Sequence, residues 1–101
     1  MDRNQNTMKF KIPKSINVFG TKYKVKMVET GLFSGLCDPD KATIYININQ
    51  SDDQIQATFW HEACHAMQFV LGMNNAISRE MMEMLAENTA TLIVNCLGVK
   101  K

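Results

Sequence analysis

Thr58-Phe59-Trp60-His61-Glu62-Ala63-Cys64-His65-Ala66 is the stretch on which the reading turns. It holds both histidines of the 101-residue chain, four positions apart, with a glutamate directly after the first. In a helix, positions i and i+4 share a face about one turn apart. Both imidazoles can then reach one metal ion, with Glu62 beside them as the candidate general base. This His-Glu-x-x-His pattern makes Zn2+ the expected cofactor.

The flanking residues independently predict a helix near 52–71. Ser51 followed by Gln54 has the form of a capping box, and Asp52 and Asp53 place negative charge against the unpaired N–H groups of a first turn. No proline or glycine interrupts Ile55 to Leu71, and Gly72 falls where a left-handed cap would close the helix. Apolar residues occur on nearly every side of this helix, the mark of an element surrounded by others.

Length and composition restrict the remainder. A chain of 101 residues supports one domain with one modest core. With 46% hydrophobic residues, 21% charged residues and a net charge of +1, it belongs to the soluble globular class. Lysines before residue 42 alternate regularly, which fits the solvated face of a sheet better than a nucleic-acid footprint. Cys37, Cys64 and Cys96 lack Cys-x-x-Cys spacing and are expected as free thiols in a reducing compartment. Residues 1–7 read as a polar tail, and Met1–Asn6 lack the apolar core of a signal peptide. With no run long enough to span a membrane, the expected location is cytoplasmic.

Upstream of the helix, Phe10–Ile12 forms a short possible edge strand. The segment 16–28 reads as a hairpin turning at Gly20, with Tyr23, Val25 and Met27 alternating against lysines. Residues 29–41, rich in glycine and acids with one proline, read as a loop. Ile44, Ile46 and Ile48 mark the clearest strand, whose polar partners Tyr45 and Asn47 face the other way. The expected architecture is α+β, an antiparallel N-terminal sheet of about three strands packed on a two-helix hairpin. Met67, Met73, Met81, Met82 and Met84 are expected as adaptable core packing, and Trp60 also as core.

A second helix is predicted from Ser78 to Leu97, antiparallel to the first across a short loop. Its Glu80, Glu83 and Glu87 fall within roughly 60° of one another. At about 1.5 Å per residue, His65 and Glu83 both lie roughly 8–10 Å from the hairpin end and can be level. Glu87 lies one turn further, opposite His61, where it can ligate or accept a hydrogen bond from a ligating imidazole. With no third histidine and no aspartate after Asp53, His-His-Glu plus water remains, the open arrangement of catalytic sites. Cys64 points away from the histidines and is assigned to packing.

His61-Glu62-Ala63-Cys64-His65-Ala66, followed by Glu83-Met84-Leu85-Ala86-Glu87-Asn88-Thr89-Ala90, resembles the ImmA/IrrE-type metallopeptidases, especially their short phage-encoded relatives. Glu83, Ala86 and Ala90 match the Glu-x-x-Ala helix of that family. The resemblance implies a minimal zincin-like fold, Glu83 as third zinc ligand beside His61 and His65, and hydrolysis of a peptide bond in a protein substrate. Glu87 departs from the Asn or Asp usual at its position. The expected mechanism uses Glu62 as general base and seats an extended peptide on a sheet edge beside residues 43–48. Two other function classes use the same residues: a metallopeptidase-fold binding or regulatory module without cleavage, and a metal-free helical interaction domain. No nucleic-acid or membrane partner is expected.

Overall fold

The computed structural model describes residues 11–98. In chain order these form β1 (Ser15–Val18), β2 (Thr21–Val28), β3 (Gly35–Asp38), β4 (Thr43–Asn47), α1 (Asp52–Val70), a 3-10 turn at Met73–Asn75 and α2 (Arg79–Gly98). The class is α+β, as expected. The polar tail expected at 1–7 lies outside the described residues. So does Phe10 of the proposed edge strand, and its neighbours Lys11 and Ile12 are in no strand.

The sheet differs from expectation in strand number and direction. It has four strands in the order β1-β2-β4-β3, with β1–β2 and β3–β4 antiparallel and β2–β4 parallel. The hairpin β1–β2 turns through Phe19 and Gly20, both at positive φ (50° and 95°), as a two-residue primed turn requires. The Asn17 side chain accepts a 2.7 Å hydrogen bond from the Gly20 amide across it. The additional strand, β3, lies inside the segment expected to be a loop. Four residues without alternation carry no strand signal, so pairing with β4 makes the strand. β3 forms one edge, which leaves β4 interior, and the edge expected beside 43–48 belongs to 35–38 instead.

Alternation places Val18, Tyr23, Val25, Ile44 and Ile46 on the inner face, where they form the core with Phe59 and Ala66 of α1. Met27 and Ile48, expected to continue these rows, are 43% and 42% exposed because they lie at or beyond the strand ends. The caps of α1 act as predicted: the Ser51 hydroxyl accepts from the Gln54 amide at 3.2 Å, and Gly72 takes the left-handed conformation at φ 73°. Ser78 serves α2 in the same way, accepting from the Met81 amide at 3.1 Å.

Among the described residues α1 packs on the sheet, against β3 and β4 chiefly, while α2 packs chiefly on α1. Thus α1 is the middle layer, which accounts for its all-round apolar sequence. The α2 face turned to α1 is a row of residues four apart, Met82, Ala86 and Ala90, all buried. Small side chains at 86 and 90 let the helix axes come close. Of the other methionines, Met67 packs half-buried against the core as expected, whereas Met73 is half-buried and Met81 and Met84 are exposed on the free side of α2. Trp60 is half-buried against the core. Among the described residues, no helix is long and apolar enough to cross a membrane.

Because Ala86 is fully buried between the helices, Ala86→Leu should force them apart and cost about 1–3 kcal/mol. Urea denaturation checks this, and an unchanged midpoint would contradict the close contact.

Candidate metal centre

His61 and His65 project from the same face of α1, with ring centroids 4.8 Å apart and planes inclined at 72°. The antiparallel run of α2 brings Glu83 opposite both. Glu83 Oε1 lies 3.2 Å from His61 Nε2, and Oε2 lies 3.2 Å from His65 Nε2. One donor atom from each of the three residues falls within 4.8 Å of the other two. For metal–donor lengths of about 2.0–2.2 Å, tetrahedral donors stand about 3.3–3.6 Å apart; the histidine–glutamate separations lie just under that spacing and the three donors within 4.8 Å of one another, so the group could hold a metal ion.

The state of the donor atoms supports the same fit. Glu87 Oε1 is 2.9 Å from His61 Nδ1, and since a carboxylate can only accept, Nδ1 carries the proton there. Nε2, 3.2 Å from Glu83 Oε1, meets that carboxylate either as the second donor of an imidazolium or, with Nδ1 alone protonated, through a cation held between them. His65 Nε2 is buried and has no hydrogen-bond partner; its 3.2 Å approach to Glu83 is within ion-pair distance but off hydrogen-bond geometry. An orphaned buried nitrogen is costly, and a metal ion would satisfy it. The two glutamates left open by sequence spacing are therefore separated: Glu83 joins the donor group, and Glu87 holds the outer nitrogen of His61. Glu80, on the same stripe, is exposed and outside the group.

Glu62, 8% exposed, lies in the same face beside the donor group. Burial pushes its carboxyl up to about 7, opposed by the neighbouring His65 and reinforced by Glu83. A carboxyl titrating near neutrality suits transfer of a proton in either direction. Its position depends on Gly35 of β3, since a Cβ there would collide with Thr58 Cγ2 and come within 3.0 Å of Glu62 Cγ and Oε2. Glycine is thus what lets the edge strand run close to the helix at this carboxylate. The Cys37 thiol lies nearby and is pushed up to about 12, by burial first and then by Glu62 and Asp38. Cys64 is buried away from the donor group, and all three cysteines are free thiols.

A groove of about 590 Å³ opens over these residues, with β3 along one side, α2 along the other and α1 as its floor. Neither tyrosine lines it. Sequence reasoning missed three contributors. Gly35 lies in the expected loop, and Gln50 ties the strand ends to the helix, donating to the Ser34 and Asn47 carbonyls and accepting from the Thr58 hydroxyl at 3.3 Å. Gln68, 1% exposed, stands 2.8 Å from His65 Nδ1 and donates to the Met82 carbonyl at 3.0 Å. Only Gln68 had a readable signal, its i+3 spacing from His65.

Comparison of the chain with protein-family models, curated proteins and solved structures gives no match.

The raised carboxyl of Glu62 has a consequence for the metal-free protein. A folded pKa of about 7 against an ordinary 4.5 means that the folded state holds the proton more tightly, so this contribution is fully present below 4.5 and is lost as pH rises through 7. Stability of the metal-free protein measured by urea denaturation should fall across that window relative to Glu62→Gln. Parallel pH profiles for the two proteins would contradict the assignment.

Proposed function

We propose that the chain is a zinc-dependent, peptidase-like hydrolase that cleaves a peptide bond in a protein substrate. The observation that carries this reading is the convergence of His61 Nε2, His65 Nε2 and the Glu83 carboxylate at 3.2 Å separations, next to the buried side chain of Glu62. His61, His65 and Glu83 would hold the zinc. When bound, zinc supplies polarisation of the scissile carbonyl and acidification of water. Glu62 takes the proton from the attacking water and delivers it to the leaving amine, and Glu87 keeps the His61 ring in place.

The substrate backbone is assigned to the free edge of β3. The Asn47 amide donates to the Ser34 carbonyl at 2.9 Å, so Ser34 and Asn47 form a hydrogen-bonded pair. In an antiparallel ladder such pairs alternate. With Leu36 opposite Tyr45 and Asp38 opposite Thr43, the N–H and C=O groups of Gly35 and Cys37 point outward from the sheet, over the groove. An extended peptide paired with them runs past Glu62 and the donor group, in β-augmentation. The resemblance to ImmA/IrrE-type metallopeptidases adds the expectation of a regulatory protein as substrate.

Zinc-loaded protein should cleave members of a library of quenched-fluorescent peptides. Glu62→Gln should retain zinc and lose roughly 10²–10⁴-fold in rate. Equal cleavage by both proteins would rule out Glu62 as the base. Zinc binding without any cleavage of peptides or denatured protein would favour the binding module.

A further inference from the structure

We infer that Gln68 is a positioning residue, a buried amide clamp that fixes the tautomer of His65 and sets the height of Glu83 against it. The inference follows from the two ends of one side chain. Gln68 Nε2 donates to the Met82 carbonyl at 3.0 Å, and a carbonyl oxygen cannot donate, so the NH2 end of the amide must face Met82. Oε1 therefore faces His65, 2.8 Å from Nδ1. An amide oxygen only accepts, so His65 Nδ1 is the protonated nitrogen.

In the neutral ring this leaves the lone pair on Nε2, the buried atom that has no hydrogen-bond partner and lies 3.2 Å from Glu83 Oε2. Neither end of Gln68 can be exchanged for water, because the residue is 1% exposed. The second grip matters equally, since Met82 directly precedes Glu83. One side chain on α1 thus holds a histidine on its own helix and the peptide unit adjoining the glutamate on the other. His61 has a different arrangement: its Nδ1 partner is the exposed carboxylate of Glu87. The neutral amide is the partner suited to the enclosed position, where a carboxylate would bring an oxygen against the Met82 carbonyl.

The role of Gln68 in zinc affinity rests on the proposed zinc site, whereas its control of the tautomer does not. Long-range 1H–15N spectra of metal-free protein at pH about 8.5, about two units above the ordinary imidazole range, read the tautomer directly. The expected spectrum has His65 protonated on Nδ1 in the wild type, and mixed or reversed in Gln68→Leu. Gln68→Met, which conserves volume and flexibility, serves as the second variant should the leucine protein not fold. Competition titration with a chromogenic chelator should find zinc bound 10–100-fold more weakly in either variant. An Nε2-protonated His65 in the wild type would overturn the inference, as would a folded variant with unchanged tautomer and zinc affinity within twofold. Absence of zinc binding by the wild type would sink the proposed function, with the spectra still deciding the role of Gln68.

Discussion

Everything in this structure depends on placing ionisable side chains on the most enclosed helix of a small protein. α1 is covered by the sheet on one side and by α2 on another, and its middle turns carry His61, Glu62 and His65. Burying such groups without partners costs several kcal/mol, so the rest of the fold has to supply partners at these particular heights. α2 supplies them. Its row of Met82, Ala86 and Ala90 seats it closely on α1, and Glu83 and Glu87 then stand opposite the histidines. The His61-His65-Glu83 donor group and the helix–helix contact are consequences of the same packing.

The edge strand completes the arrangement from the opposite side. β3 approaches α1 closely enough at Gly35 that no Cβ is tolerated beside Glu62. This proximity removes water from the carboxylate, raises its proton affinity and places outward-facing strand amides along the same groove. The raised carboxyl of Glu62 and a strand edge open to pairing therefore have one structural origin. The side of the groove formed by α2 stays open, with Glu83 and Glu87 58% and 69% exposed at their side chains, so a ligand can enter there.

Much of this was legible in the sequence, and the limits have physical reasons. The bounds of α1 were readable because caps are local: Ser51, Gln54 and Gly72 act within a turn of where they stand. The buried isoleucines of β4 and the partial match of Glu83 and His65 in height follow from simple periodicity. β3 was not readable, since Gly35-Leu36-Cys37-Asp38 is a strand only by virtue of β4 and α1. The parallel pairing of β2 with β4 was hidden for the same reason, being set by contacts between distant segments. Spacing alone left Glu83 and Glu87 as alternatives. Which nitrogen of His61 each glutamate meets depends on ring orientation, a property of packing and not of position along the chain.

Whether His61, His65 and Glu83 form one zinc site is decided by the zinc content of purified protein after zinc loading. The wild type is compared with His65→Ala, Glu83→Ala and Glu87→Ala. Stoichiometric zinc is expected in the wild type, with its loss in the His65 and Glu83 variants and its retention at reduced affinity in the Glu87 variant. No zinc in the wild type, or full zinc in Glu83→Ala, would contradict the shared site.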